Sequence, residues 1–361
     1  MSSGFEGVGE LMSRFRRILT AAAVIAPLGP LIGGAVPALA QELNLYNSRH
    51  YDTDEALYTN FTRATGIRIN RIEDSEDKLM ERLRAEGRNS PADVFITVDA
   101  GRIARATDMG LFQPIQSKVL IDAIPANFRD PQGHWYGFSK RVRVIAYNKA
   151  KVQPSELSTY ESLADAKWKG RVTVRSSTNV YNQSLTGSVL AARGEAFAET
   201  WARGIAANLS RPPRGGDTDQ IKAIAAGEGD VAIVNHYYYV RLARSSKADE
   251  KAVADKVGIF FPNQAAQGPE GRGAHINISG AGVAANAPNR AAAINFLEYL
   301  TTAEAQAIFA EGNTEFPIVK GAKLGTVLAQ WGEFKEDQLN AATFGRNNAE
   351  ALKIMDRAGW K

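Results

Sequence analysis

The segment Leu43-Asn44-Leu45-Tyr46-Asn47-Ser48-Arg49-His50-Tyr51 leads directly into Asp52, Glu55, Leu57, Phe61 and Ala64 before Gly66. Leu43 to Tyr46 alternates as a strand does. Asp52 with Glu55 three residues later reads as a helix N-cap and its capping partner, and Leu57, Phe61 and Ala64 then recur at helical spacing. The segment is therefore one β–α unit. The pattern repeats downstream: Ile67, Ile69 and Ile72 predict a second strand, Lys78 to Glu86 a second helix, and Ala92 to Thr97 a buried third strand. Strands alternating with helices imply an α/β fold with a doubly wound, mostly parallel sheet.

Further along, the turn-rich Asp130-Pro131-Gln132-Gly133 precedes Val142 to Asn148, a long strand placed to cross from one lobe to another. A second α/β pattern follows: a strand over Arg171–Arg175, helices over about Asn179–Ala192, Glu195–Asn208 and Asp219–Ala226, and a strand over Asp230–Val234. Asn263 to Gly273 reads as loop, Ile276 to Val283 as a return strand and Asn289 to Leu300 as a helix. The stretch from Thr326 to Lys361 reads as mostly helical. No internal repeat is visible. The expected organisation is two lobes joined by a hinge, one built from residues 41–140 plus about 273–320 and the other from 141–272 plus about 321–361.

The N-terminus carries Arg14, Arg16 and Arg17, then apolar Ile18 to Ala26, then a Pro- and Gly-interrupted run ending Ala38-Leu39-Ala40. This order is that of a secretory signal over residues 1–40, cleaved near Ala40. Pro27, Gly29, Pro30, Gly33, Gly34 and Pro37 break the uninterrupted apolar run of about 20 residues that a membrane anchor needs. The Arg16-Arg17 pair suits either the general secretory or the twin-arginine route. The 361-residue chain has a net charge of +4 and the signal contributes three Arg and two Glu, so the exported part is only mildly basic. That balance, with no long basic run, speaks against nucleic acid as a partner. Cysteine is absent, which removes disulfides, thiolate metal sites and cysteine nucleophiles.

Three tyrosine-bearing positions follow predicted strands: His50-Tyr51 after the first, Tyr181 after the strand ending at Arg175, and Tyr237-Tyr238-Tyr239 after Val234. Open α/β sheets bind ligands beyond the carboxyl ends of their strands, so these side chains can meet in one cleft. Phenolate oxygen suits a hard, highly charged cation such as Fe³⁺ once the metal has displaced the proton. Softer metals recruit Cys or several His, and Ca²⁺ recruits carboxylates and carbonyls. Taken alone, the same tyrosines also fit ordinary packing, each with a hydrogen-bonded hydroxyl.

Four stretches carry a resemblance that spans essentially the whole exported chain: Leu45-Tyr46-Asn47-Ser48-Arg49-His50-Tyr51, Ala92-Asp93-Val94-Phe95, Arg143-Val144-Ile145-Ala146-Tyr147-Asn148 and Val234-Asn235-His236-Tyr237-Tyr238. They resemble the periplasmic ferric-iron-binding proteins of ABC importers, within the class II solute-binding proteins, and in particular the subgroup whose iron site is built mainly from tyrosines. The resemblance implies Tyr51, Tyr181, Tyr237 and Tyr238 as ligands, with His50 as a variable fifth. The run Asn235-x-Tyr237-Tyr238-x-x-Arg241 selects two of three consecutive tyrosines and leaves Tyr239 to packing. Better-known members of the wider family use a glutamate from the first lobe and often an exogenous anion. Here that region reads Thr97-Val98-Asp99, and neither Asp99 nor an added anion enters the expected ligand set. Four phenolates around Fe³⁺ leave a formal charge of about −1, which needs a counter-ion. Arg141 and Arg241 are placed for that role, ahead of Arg49 and Arg143.

The resemblance thus implies a monomeric protein of the periplasm that captures Fe³⁺ by closing two lobes and delivers it to the permease and ATPase of an iron importer in the inner membrane. The alternatives are a binding protein for an organic solute such as a sugar, polyamine or phosphate ester, and an exported enzyme. Against the enzyme, the chain has no nucleophile elbow, no HExxH and no phosphate loop.

Overall fold

A computed structural model describes residues 41–49, 51–265 and 268–361. The expected signal segment and His50 lie outside these residues. Nine strands are described: β1 (Glu42–Asn47), β2 (Arg68–Glu73), β3 (Val94–Val98), β4 (Tyr136–Asn148), β5 (Val172–Thr173), β6 (Val231–Asn235), β7 (Val257–Phe260), β8 (Ile276–Val283) and β9 (Phe316–Pro317). The helices of the first half are α1 (Glu55–Thr65), α2 (Glu76–Glu86), α3 (Ala100–Asp108), α4 (Lys118–Ala123), α5 (Val180–Arg193), α6 (Glu195–Ala207) and α7 (Asp217–Ala226). Those of the second half are α8 (His236–Arg244), α9 (Ala248–Asp255), α10 (Arg290–Tyr299), α11 (Ala303–Ala307), α12 (Thr326–Ala329), α13 (Ala341–Arg346) and α14 (Asn348–Arg357). None of the described helices is long and apolar enough to cross a membrane.

The strands run in the order β2-β1-β3-β8-β4-β6-β5, with β7 and β9 also paired to β4. The winding predicted from strand–helix alternation holds on the flanks, where β1 pairs in parallel with β2 and β3, and β5 with β6. The middle runs antiparallel, because β4 carries the chain out of one lobe and β8 brings it back. Tyr136 to Val142 of β4 pairs with β8, while Arg143 to Tyr147 pairs with β6. The strand therefore changes partners between Val142 and Arg143. It begins six residues earlier than the expected Val142 because Tyr136 to Ser139 also faces β8.

Every residue of β3 and β6 is buried, as strands covered on both faces require. One apolar cluster joins β1, β3 and β8 to α1, α2 and α10, and extends along β4 to α7 and α8. A second fills the space among β5, β6, α5, α6 and α14 around Trp168, Trp201 and Trp360. Gly66 ends α1 in the left-handed conformation, with φ 72°, the role for which glycine lacks a steric penalty.

Two local expectations are corrected. Asp52 does not cap α1: Asp52–Asp54 forms a 3₁₀ turn that puts Tyr51 at its cap and Glu55 at the start of the helix. Asp54 instead turns inward to an ion pair with Arg49 at 2.6 Å. The stretch from Thr326 onward is less helical than its pattern suggests, since 330–340 is irregular and Glu336 bridges to Ala274.

Candidate metal-binding cleft

Each predicted tyrosine occupies the position its strand dictates. Tyr51 sits three residues beyond a β1 extension whose Ser48 N–H still bonds the Ile96 carbonyl. Tyr181 lies in the first turn of α5, whose cap Asn179 accepts from the Tyr181 N–H at 3.1 Å. Tyr237 and Tyr238 form the first turn of α8, immediately after β6. Helix N-termini favour negative charge, so three of the four phenols stand where a phenolate gains from backbone dipoles.

The four converge. The Tyr51 and Tyr237 rings are 6.2 Å apart edge to face, and Tyr237 lies 4.3 Å from Tyr238. Tyr181 acts electrostatically on Tyr51, Tyr237 and Tyr238. Tyr51, Tyr181 and Tyr237 are buried and Tyr238 is half-buried. Burial, then the neighbouring Glu315 charge, pushes the Tyr51 hydroxyl well above the usual phenol range. Burial and the other tyrosines do the same to Tyr237, and Tyr238 is raised by burial, Tyr181 and Asp217. These three phenols therefore keep their protons at neutral pH until a cation displaces them. Tyr239 turns away and packs on Trp331, 6.3 Å between rings.

Arginines surround the cluster. Arg141 is fully buried, its guanidinium 5.9 Å from the Tyr181 ring and 3.9 Å from Glu315, and its Nη2 donates to the Ile278 carbonyl. Its Nε and Nη1 have no hydrogen-bond partner among the described residues, so the cleft contains two buried donors available to an acceptor. Desolvation lowers the Arg141 pKa, but Tyr51, Tyr237 and Glu315 outweigh it and raise the net value. Arg241 is exposed and lies 5.0, 5.1 and 5.8 Å from the Tyr51, Tyr237 and Tyr238 rings. Arg49 lies 4.6 Å from Tyr51 and pairs with Asp54 and Glu315. Arg143 lies 5.9 Å from Tyr181 and pairs with Asp217 at 2.8 Å.

Two residues escaped the sequence reading. Arg175 lies 5.3 Å from the Tyr181 ring, a placement hinted at by the predicted strand end there. Glu315 is a fully buried carboxylate that accepts from the Tyr51 hydroxyl at 3.2 Å, from Ser139 at 2.8 Å and from Ser279 at 3.3 Å. Burial raises its pKa, but Arg49, Arg141 and Ser139 together bring it below the usual carboxylate range. It replaces Asp99 as the carboxylate next to the cluster. Nothing in its local sequence marks it, since it is 264 residues from Tyr51. Asp99 is buried elsewhere, capping α3 and accepting from Ser184 and Asn277. Among the described residues no three His, Asp or Glu side chains gather to hold a metal.

Two α/β lobes joined through one long strand, with polar side chains converging at the carboxyl ends of their strands, define the periplasmic-binding-protein architecture. Residues 56–336 match the bacterial extracellular solute-binding proteins, and the chain belongs to that family. Iron uptake protein A1 of Synechocystis sp. is 51% identical over 325 residues, 90% of this chain and 89% of that protein. A Trichodesmium protein termed IdiA or FutA, solved in complex with iron and citrate, is similar at 58% identity and TM-score 0.86, over 89% of this chain and 100% of that one. A ferric binding protein from Campylobacter jejuni gives 39% identity and TM-score 0.82, over 88% and 100% of the two chains.

Proposed function

We propose that the protein is an extracytoplasmic ferric-iron-binding protein, not an enzyme, which holds Fe³⁺ in the interlobe cleft through the phenolates of Tyr51, Tyr181, Tyr237 and Tyr238 and passes it to an ABC importer. The observation that carries this reading is the convergence of four phenols around a buried arginine with two unpartnered donors. Phenols supply anionic oxygen to a hard trivalent cation, and Arg141 and Arg241 balance the negative charge left by four phenolates. Relatives described as iron uptake and ferric-iron-binding proteins support the same ligand. His50 is retained as a variable fifth ligand beside Tyr51.

The lobes of this reading are 41–140 with about 273–320, and 141–272 with about 321–361; the change of β4 partners after Val142 supports the first boundary. Iron bridging Tyr51 from one lobe and Tyr181, Tyr237 and Tyr238 from the other stabilises the closed form over the open one. A monomer in that form is the species presented to the permease and ATPase in the inner membrane. The N-terminal segment directs export to the periplasm by the Sec or twin-arginine route and is removed near Ala40.

Titrating the purified protein with Fe³⁺, supplied as its nitrilotriacetate and as its citrate complex, tests the function. An orange to red colour from phenolate-to-iron charge transfer is expected, together with proton release. Because Tyr51, Tyr237 and Tyr238 are raised above the usual phenol range without metal, binding Fe³⁺ through them releases their protons. Affinity therefore falls as pH falls. A colourless protein that surrenders iron to a weak chelator would defeat the reading, and retention of an organic solute would favour an organic-ligand binding protein instead.

A further inference from the structure

We infer that Glu315 is a positioning residue that competes with the metal for the Tyr51 oxygen and so sets how readily iron leaves; the inference rests on the iron-binding reading above. The geometry places Glu315 where it can act only through Tyr51 and the arginines. Its carboxylate accepts the Tyr51 hydroxyl at 3.2 Å and is held by Ser139, Ser279 and Arg49, with Arg141 at 3.9 Å. Binding Fe³⁺ through Tyr51 breaks the phenolic O–H bond, sends the proton to solvent and forms the iron–oxygen bond. The hydrogen bond to Glu315 is then lost, because a phenolate has nothing to donate. Two anionic oxygens are left side by side in a buried, weakly screened pocket, where like charges repel strongly. The repulsion favours protonated Tyr51 over iron-bound Tyr51, and it falls on the one phenol that Glu315 touches. Tyr51 thus becomes the most easily surrendered of the four ligands.

The segment carrying Glu315 is fixed from both sides of the cleft, so the carboxylate cannot simply swing away. Asn313 bonds Thr53 and Asp54, in the turn that follows Tyr51. Thr314, held at φ 56°, offers its carbonyl to His236 Nε2 at 2.8 Å, and His236 directly precedes Tyr237. His236 Nδ1 in turn accepts from the Val142 N–H at 3.2 Å, at the point where β4 changes lobes. Asn313, Thr314 and Glu315 therefore tie the Tyr51 turn, the tyrosine pair and the crossing strand to one another. A non-glycine residue at positive φ is tolerated only where surrounding contacts over-determine it.

The test is the sign of a rate. In the mature protein loaded with Fe³⁺, Glu315→Gln is expected to slow iron release to EDTA by about 10- to 100-fold, the usual reach of a residue that hydrogen-bonds a metal ligand, and to shift the visible charge-transfer band. Generic damage to the fold would speed release instead. Glu315→Asp keeps the charge beside Arg49 and Arg141 while withdrawing it from Tyr51 by one methylene. It is expected to slow release in the same direction by a smaller factor, and it serves if the Gln variant fails to fold. In a Tyr51→Phe background, Glu315→Asp and Glu315→Gln should have no effect on release. Unchanged or faster release in a folded Glu315 variant, or an effect that persists without the Tyr51 hydroxyl, would overturn the inference. Failure of the unmodified protein to take up Fe³⁺ would instead overturn the iron reading beneath it.

Discussion

At the scale of single residues, the cleft turns on which of three consecutive tyrosines faces inward. Tyr237 and Tyr238 stack on one another at 4.3 Å while Tyr239 lies against Trp331. Tyr238→Phe preserves the ring and its stacking but removes one oxygen. It is expected to weaken Fe³⁺ retention by at least about tenfold and to diminish the visible band, with the melting temperature nearly unchanged. Tyr239→Phe should leave both iron retention and colour as they are. Parallel chelator competition on the two variants decides the matter, and equal behaviour would contradict the proposed ligand set. Arg141 is the complementary residue, with two buried donors that have no hydrogen-bond partner among the described residues.

At the scale of elements, the tyrosines are held in place by charged side chains that cross between secondary structures. Arg143 projects from β4 to Asp217 on α7 at 2.8 Å, Asn182 on α5 at 2.9 Å and the Ile233 carbonyl of β6 at 3.1 Å. The Asp217 carboxylate also receives the Asn235 N–H, one residue before α8. One buried pair thus fixes the starts of the two helices that present Tyr181 and Tyr237. Breaking such a pair from one side costs about 3 kcal/mol, the low end of the range for a stranded buried charge, because Arg175 stays 3.5 Å from Asp217. Arg143→Met is expected to lower unfolding free energy by that amount in urea denaturation. A loss below about 1 kcal/mol would show that the pair does not hold these helix starts.

For the whole molecule, buried histidines make stability depend on pH. Burial pushes His236 down from 6.5 to about 4, and burial together with Arg272 and Arg143 pushes His275 well below its ordinary value. In the unfolded chain both take up protons near pH 6.5, whereas the folded protein resists until lower pH. The unfolded state therefore binds more protons in that interval, and stability falls as pH drops through it. For His236 the window between about 6.5 and 4 corresponds to about 3 kcal/mol. Urea midpoints of the iron-free protein should decline from neutral to mildly acidic pH, and His236→Gln should flatten that decline. An unchanged slope in the variant would assign the effect to other groups. With the proposed ligand set, acid is expected to act twice: it competes with Fe³⁺ for the phenols, and it loosens the segment that His236 secures through Thr314.

The sequence by itself determined the β–α alternation, the crossing strand, the helix start at Asn179 and the places of all four tyrosines just beyond strand ends. These depend on periodicity, caps and strand ends, which are properties of neighbouring residues. Family resemblance then narrowed three adjacent tyrosines to two, which periodicity could not do. Tertiary structure decided what depends on distant contacts. Asp52 entered a 3₁₀ turn instead of capping α1, with Asp54 turned inward to Arg49, and β4 lengthened because β8 lies beside it. Arg175 came to lie on Tyr181. Glu315 arrived beside Tyr51 from 264 positions away. A buried carboxylate is selected by the cations and hydroxyls that enclose it, and chain folding alone brings Arg49, Arg141, Ser139 and Ser279 around that one side chain.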